Sequence, residues 1–158
     1  MGKMNMGRVI LGGLVAGLVA DILGYLVDGV MLANRWATGM AALGKGAFTP
    51  GQMVWFDVLG IVTGVTAVWL YAAIRPRFGA GVKTAIYAGL AVWVLGWLVP
   101  NAGFMYVPHL FSKHLTLYTT LGGIVEIVVG TVAGAALYKE AAAAVPSPTG
   151  AAKQAVGA

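Results

Sequence analysis

The chain has 158 residues, of which 59% are hydrophobic and only 9% are charged, and its formal net charge is +5. A soluble domain carries about a quarter charged residues, so this chain is too apolar to cover its own surface in water. The composition predicts an integral membrane protein, and the lack of cysteine excludes disulfides, thiolate metal sites and a cysteine nucleophile.

Four stretches are long and apolar enough to cross a membrane, because a crossing needs about 20 residues. They cover residues 9–32, 53–74, 84–99 and 115–138. All four exceed strand length and lack the alternation of a barrel, so they are predicted to be helices. The third and shortest is predicted to end before Pro100. We therefore expect an all-α polytopic protein with a four-helix transmembrane domain at residues 1–140 and a flexible Ala/Pro-rich tail at 141–158.

Basic residues predict the orientation of the spans. Seven of them lie on the side that carries both termini and the 75–83 turn, and three lie on the other side. The seven are Lys3, Arg8, Arg75, Arg77, Lys83, Lys139 and Lys153, and the three are Arg35, Lys45 and Lys113. This bias predicts cytoplasmic termini. No soluble segment is large enough to form a basic surface for nucleic acid, so the predicted surroundings are the lipid bilayer and other membrane proteins.

Two segments of the chain resemble each other. Residues 17–27, GLVADILGYLV, align without gaps to residues 89–99, GLAVWVLGWLV, with six identities in eleven positions. The match indicates a duplicated helical hairpin with both halves in the same orientation. The alternative is that helices rich in Gly, Ala, Leu and Val match by chance. In this alignment Asp21 stands opposite Trp93.

Four of the five acidic residues lie inside the predicted spans: Asp21, Asp28, Asp57 and Glu126. An ionised Asp at the centre of a span costs about 2.5–3.5 kcal/mol on insertion scales. Asp21 and Glu126 are predicted near the midplane as an inner pair, and Asp28 and Asp57 near the outer side as a second pair. Burial favours the neutral form of a carboxyl, which suits reversible protonation. The spans contain no central Lys or Arg, so the acids must be protonated, bind a cation, or meet a basic group on another protein.

Small residues at one-turn intervals predict the packing faces of the helices. These residues are Gly13, Gly17, Gly24, Gly60, Gly64, Gly130 and Gly134. The acids share these faces, so they are expected to point into the bundle or a subunit interface, away from lipid. The same spacing offers contact surfaces to a second copy, which predicts a homo-oligomer or a subunit of a membrane complex.

Aromatic residues near the span ends, including Trp36, Tyr71 and Tyr138, are predicted to form belts that anchor the helices at the two membrane surfaces. His109 and His114 are five residues apart, which is poor spacing for a shared metal ion. The sequence predicts no metal site and no cofactor.

Two functions stay open from the sequence, and no catalytic motif predicts an enzyme. The first is proton or cation handling through Asp21 and Glu126, with threonines such as Thr63, Thr66, Thr119 and Thr120 adding oxygen ligands. The alternative is an accessory or assembly subunit of a larger membrane complex. The acids could also be purely structural, hydrogen-bonded in neutral form between helices.

Three segments carry a resemblance to a family: LGYLVDGVMLANRW at 23–36, RPRFG at 75–79 and LGWLVPNAGF at 95–104. Together they resemble small four-helix bacterial membrane proteins of unknown function, over roughly residues 7–140. The resemblance implies a bacterial inner membrane and a four-helix fold. It implies no activity, substrate or functional residue.

Overall fold

The computed structural model describes residues 4–106 and 110–140, and the regular structure within them is helical. Its helices are α1 (Met6–Met31), α2 (Ala33–Ala42), α3 (Pro50–Phe78), α4 (Val82–Tyr106) and α5 (Lys113–Ala136). All except α2 are long and apolar enough to cross a membrane. The prediction of an all-α membrane protein with four spanning helices is therefore confirmed. The predicted tail at 141–158 and His109 lie outside the described residues.

Helix ends follow local sequence signals. Thr49 caps α3 through the backbone N–H of Gln52, whose side chain accepts the Thr49 N–H in return, and Pro50 occupies the first turn. Such a capping box satisfies two N–H groups that a helix start leaves free. Gly79 ends α3 with a φ of 85°, in the left-handed region that glycine adopts without strain.

Two helices pass through a proline. The prediction that the third span ends before Pro100 is wrong, because α4 continues to Tyr106. The turn before this proline, Val94–Leu98, is π-helical. A π-helical turn is wider than an α-helical one, so it has room for the Pro100 ring, which would otherwise clash with the preceding turn. Likewise α3 runs through Pro76 to Phe78, so the predicted basic turn at 75–83 shrinks to residues 79–81.

The four long helices form a ring in which α1 packs on α3 and α5, and α4 packs on α5 and α3. We call the half that holds the described ends of the chain and the 79–81 turn the terminal half. The half that holds α2 and the connections 43–49 and 110–112 is called the loop half. Adjacent spans run in opposite directions, so the loop half contains the C-terminal parts of α1 and α4 and the N-terminal parts of α3 and α5.

Glycines bring the helices of the terminal half close together. A methyl group on Gly13 would lie 2.7 Å from Cγ2 of Val65 in α3, and one on Gly134 would lie 2.8 Å from Cγ2 of Val68. Gly64 in turn faces the backbone of Gly13 and Gly17. Gly60 lies against Gly17 and Gly130 against Ala16, so these faces are occupied within one chain. The expectation that they are open to a second copy is therefore wrong for the folded bundle.

The two segments that resemble each other make equivalent contacts. Gly17 of α1 lies against the Cα of Ile61 in the following span, and Gly89 of α4 lies against the Cα of Val128 in the following span. Gly17 and Gly89 are aligned positions of the proposed repeat. A duplicated helical hairpin remains a prediction, to which this correspondence adds a structural parallel.

Two tyrosines close the terminal half. Tyr71 and Tyr138 are only 4% and 5% exposed, and their rings meet edge to face with centroids 5.9 Å apart. Their predicted role as membrane anchors is therefore wrong: both belong to the core. Arg75 lies over the Tyr138 ring and forms an ion pair with Glu140 at 3.5 Å.

Candidate functional site

The loop half is open on three of its four helices. The buried residues of α3 begin only at Gly64. Those of α1 end at Ala20 and those of α4 end at Gly89, whereas those of α5 run from Leu115 to Ala135. The terminal half is thus closed by small residues, and the loop half leaves accessible space between its helices.

All four membrane-embedded acids lie at the boundary of this open half or within it. The structure groups them differently from the predicted pairs. Asp21 and Asp57 line one groove between α1 and α3. Glu126, on α5, faces Gly24 of α1, which lies between Asp21 and Asp28 along that helix.

Glu126 is the most buried of the four acids, with 5% of its surface exposed. Glycines on both sides make room for it: an added Cβ would lie 3.5 Å from its Oε2 at Gly24 and 3.3 Å from its Oε1 at Gly122. Oε1 has no hydrogen-bond partner among residues 4–106 and 110–140. The one ion pair among these described residues joins Arg75 to Glu140. No basic side chain among them therefore neutralises Glu126.

Asp28 lies inside the π-helical segment Tyr25–Met31 that ends α1. Its Oδ1 accepts a hydrogen bond of 2.9 Å from the indole N–H of Trp36 in α2. The Trp36 ring is held edge to face by Phe48 and Phe111, with centroids 6.0 and 5.2 Å away. The sequence indicated Trp36 only as a membrane anchor, and its role as the partner of Asp28 was missed.

Asp21 and Asp57 face a groove of about 500 Å³. The groove is otherwise lined by Leu18, Ile22, Tyr25, Leu26 and Ile61. Asp57 is exposed and Asp21 is half-buried. The acids were expected to point into the bundle or a subunit interface; Asp57 does not point into the bundle of this chain, and a subunit interface at Asp57 stays a prediction.

The threonines predicted as extra ligands donate their hydroxyl protons to carbonyl groups one turn earlier in their own helices. This holds for Thr63, Thr66, Thr119 and Thr120. Thr120 also accepts from the Asn101 amide at 2.8 Å, and its carbonyl accepts from the Trp93 indole at 2.7 Å. Within the described ranges, no three His, Cys, Asp or Glu side chains lie close enough together to hold a metal ion.

Comparisons with protein-family models, curated proteins and solved structures return no match for this chain. Function is therefore inferred from the chemistry of the acids and their surroundings.

Proposed function

We propose that this chain is a small proton-handling protein of the bacterial inner membrane that binds and releases a proton at Glu126. One observation carries the proposal: a carboxyl that is 5% exposed has an oxygen without a hydrogen-bond partner among the described residues. An ionised carboxylate in such a place is costly unless it is paired, so the neutral acid is the stable form. A single carboxyl oxygen is enough to bind a proton, whereas a metal cation needs several oxygen ligands.

The arrangement of the other acids supports an exchange route from the loop half. Asp57 is exposed, Asp21 is half-buried and Glu126 is buried, so the three acids form a series of increasing burial. With the basic residues of the terminal half in the cytoplasm, this route opens to the outside of the inner membrane.

Proton binding is tested on the purified protein by infrared difference spectroscopy across a pH titration. Wild type is expected to show the C=O band of a protonated carboxyl that disappears in Glu126→Gln. The matched control is Glu140→Gln, which removes an acid at the end of the terminal half. Loss of the same band in the control, or its persistence in Glu126→Gln, would contradict the assignment.

Proton movement is tested in liposomes that contain the purified protein and an internal pH-sensitive dye. In the wild type, an imposed membrane potential is expected to drive a proton flux. In Glu126→Gln and in Asp21→Asn the flux should be at least about tenfold lower, which corresponds to a barrier higher by about 1.4 kcal/mol. Glu140→Gln should keep the wild-type flux. Equal flux in all four proteins would rule out a role for these acids.

A second function, that of an accessory subunit, is favoured by the open loop half. Val54, Trp55 and Phe56 of α3 are 58–67% exposed, next to the exposed carboxyl of Asp57. A partner helix with a basic residue would cover this stretch and neutralise the acid. Purification from native membranes in mild detergent tests the idea. An accessory subunit should co-purify with one defined protein in a fixed ratio. That protein should be lost in Asp57→Lys and retained in Glu140→Lys.

A further inference from the structure

The groove between α1 and α3 combines two carboxyls with apolar walls. Asp21 and Asp57 supply the carboxyls, and the walls are aliphatic apart from the ring of Tyr25. We propose that this groove is a binding site for a hydrophobic organic cation, a quaternary ammonium or phosphonium centre with apolar substituents, that enters from the bilayer. The groove shares Asp21 and Asp57 with the proposed proton route, but Glu126 is not among the residues that line it, so binding of such a ligand is a further property of the chain.

Charge argues for a cationic ligand. Two acids share the groove, and the basic residues that the structure describes lie at the ends of the spans or outside them: Arg8 and Lys113 are in first turns, and Arg75 and Arg77 are in a last turn. Residues 4–106 and 110–140 of a second copy would therefore bring no basic group to the depth of Asp21. A cation dissolved in the membrane supplies the missing charge where few water molecules compete for it.

Size argues for a compact ligand rather than a helix. Along α1 the lining runs from Leu18 to Leu26, about 12 Å at 1.5 Å per residue. A partner helix would need a contact surface closer to the full membrane thickness of about 30 Å. The volume of about 500 Å³ falls within the range of about 300–1,000 Å³ typical of small-molecule sites.

The walls fit the apolar part of such a ligand. Ile22, Leu26 and Ile61 offer aliphatic contacts, and the Tyr25 ring can meet the cationic centre through its face. Gly60 makes room for one of the two acids, because its missing side chain leaves the space that the Asp21 carboxyl occupies. The groove is open on the side away from the bundle, which allows entry from lipid.

The test uses two bulky ions of the same shape and opposite charge, tetraphenylphosphonium and tetraphenylborate, with the full chain purified in detergent. Equilibrium dialysis with the radiolabelled ions is expected to show saturable binding of one phosphonium per chain and no saturable binding of the borate. Asp21→Asn and Asp57→Asn should each weaken phosphonium binding about tenfold. Ile22→Trp, which fills the groove and keeps both acids, should also remove the binding.

The controls separate this site from the proton site. Glu126→Gln should lose the infrared band of the protonated carboxyl and keep phosphonium binding, and Glu140→Gln should keep both. Equal binding of the two ions, or unchanged phosphonium binding in Asp21→Asn and Ile22→Trp, would overturn the proposal. The proposal would also be overturned if a defined protein partner covered Asp57 in the native complex and blocked phosphonium binding. The groove would then be the binding site of that partner.

Discussion

The Asp21 carboxyl on α1 occupies the position where a Cβ on Gly60 of α3 would stand. Gly60→Ala must therefore displace the acid or separate the two helices. Overpacking of this kind costs about 1–3 kcal/mol of free energy of unfolding. We expect a lower melting temperature in detergent, together with weaker tetraphenylphosphonium binding because the displaced carboxyl no longer faces the groove.

Gly51→Ala is the matched control for this substitution. Gly51 lies on the same helix, and an added Cβ there meets no atom within 4 Å. Its effect on the free energy of unfolding should stay within about 1 kcal/mol, the difference in helix propensity between the two residues. If both variants melted at the wild-type temperature, Asp21 would not be packed on Gly60 in the membrane protein as purified.

The hydrogen bond between Trp36 and Asp28 is predicted to hold α2 against the end of α1. Trp36→Phe keeps an aromatic ring but removes the N–H donor, and a hydrogen bond contributes about 0.5–1.5 kcal/mol to stability. Hydrogen exchange of the amides in Ala33–Ala42 should become faster in this variant. Trp55→Phe is the control, since Trp55 is 67% exposed and should leave exchange in α2 unchanged.

Tyr71 and Tyr138 of the terminal half, which meet edge to face, are predicted to contribute mainly through packing. Tyr138→Ala removes a ring that is 5% exposed and should cost about 3–5 kcal/mol, as for large-to-small changes in a core. Tyr138→Phe loses only a hydroxyl that accepts a long hydrogen bond of 3.4 Å from the backbone N–H of Asn5. We therefore expect it to lower the free energy of unfolding by less than about 1 kcal/mol. Unfolding in mixed detergent micelles measures both, and equal losses would show that the hydroxyl matters more than the ring.

Much of the fold could be predicted because a spanning helix depends on hydropathy summed over about 20 residues. The path of the chain at Pro100 could not, because it depends on the π-helical turn Val94–Leu98, and no periodic pattern marks such a turn. A proline alone favours the end of a helix. Here the helix is extended by the wider turn beside it.

The spans that carry the acids could be predicted, but the way the acids group could not. Counting residues along each span paired Asp21 with Glu126 and Asp28 with Asp57, whereas Asp21 and Asp57 line one groove in the structure. Which acids lie close together depends on which helices are neighbours. Glycines such as Gly60 and Gly64 mark the faces that pack, but the sequence does not say which helix packs on each face. Trp36 lies eight residues after Asp28 across the break at Leu32, so helical spacing could not relate the two side chains.

Trp97 and Gly123 offer a test of packing in the loop half. A methyl group on Gly123 of α5 would lie 2.8 Å from both Cγ and Nε1 of Trp97 in α4, so Gly123→Ala is expected to cost about 1–3 kcal/mol. Trp97→Leu frees that space, and the double variant should be less destabilised than the sum of the two single variants, since residues in contact couple by about 0.5–3 kcal/mol. Thermal unfolding of the four proteins completes the cycle, with Gly96→Ala as the control at a position where an added Cβ meets nothing within 4 Å. Additive losses would mean that α4 and α5 do not touch at this level, and that the loop half opens further than the ring of helices described above.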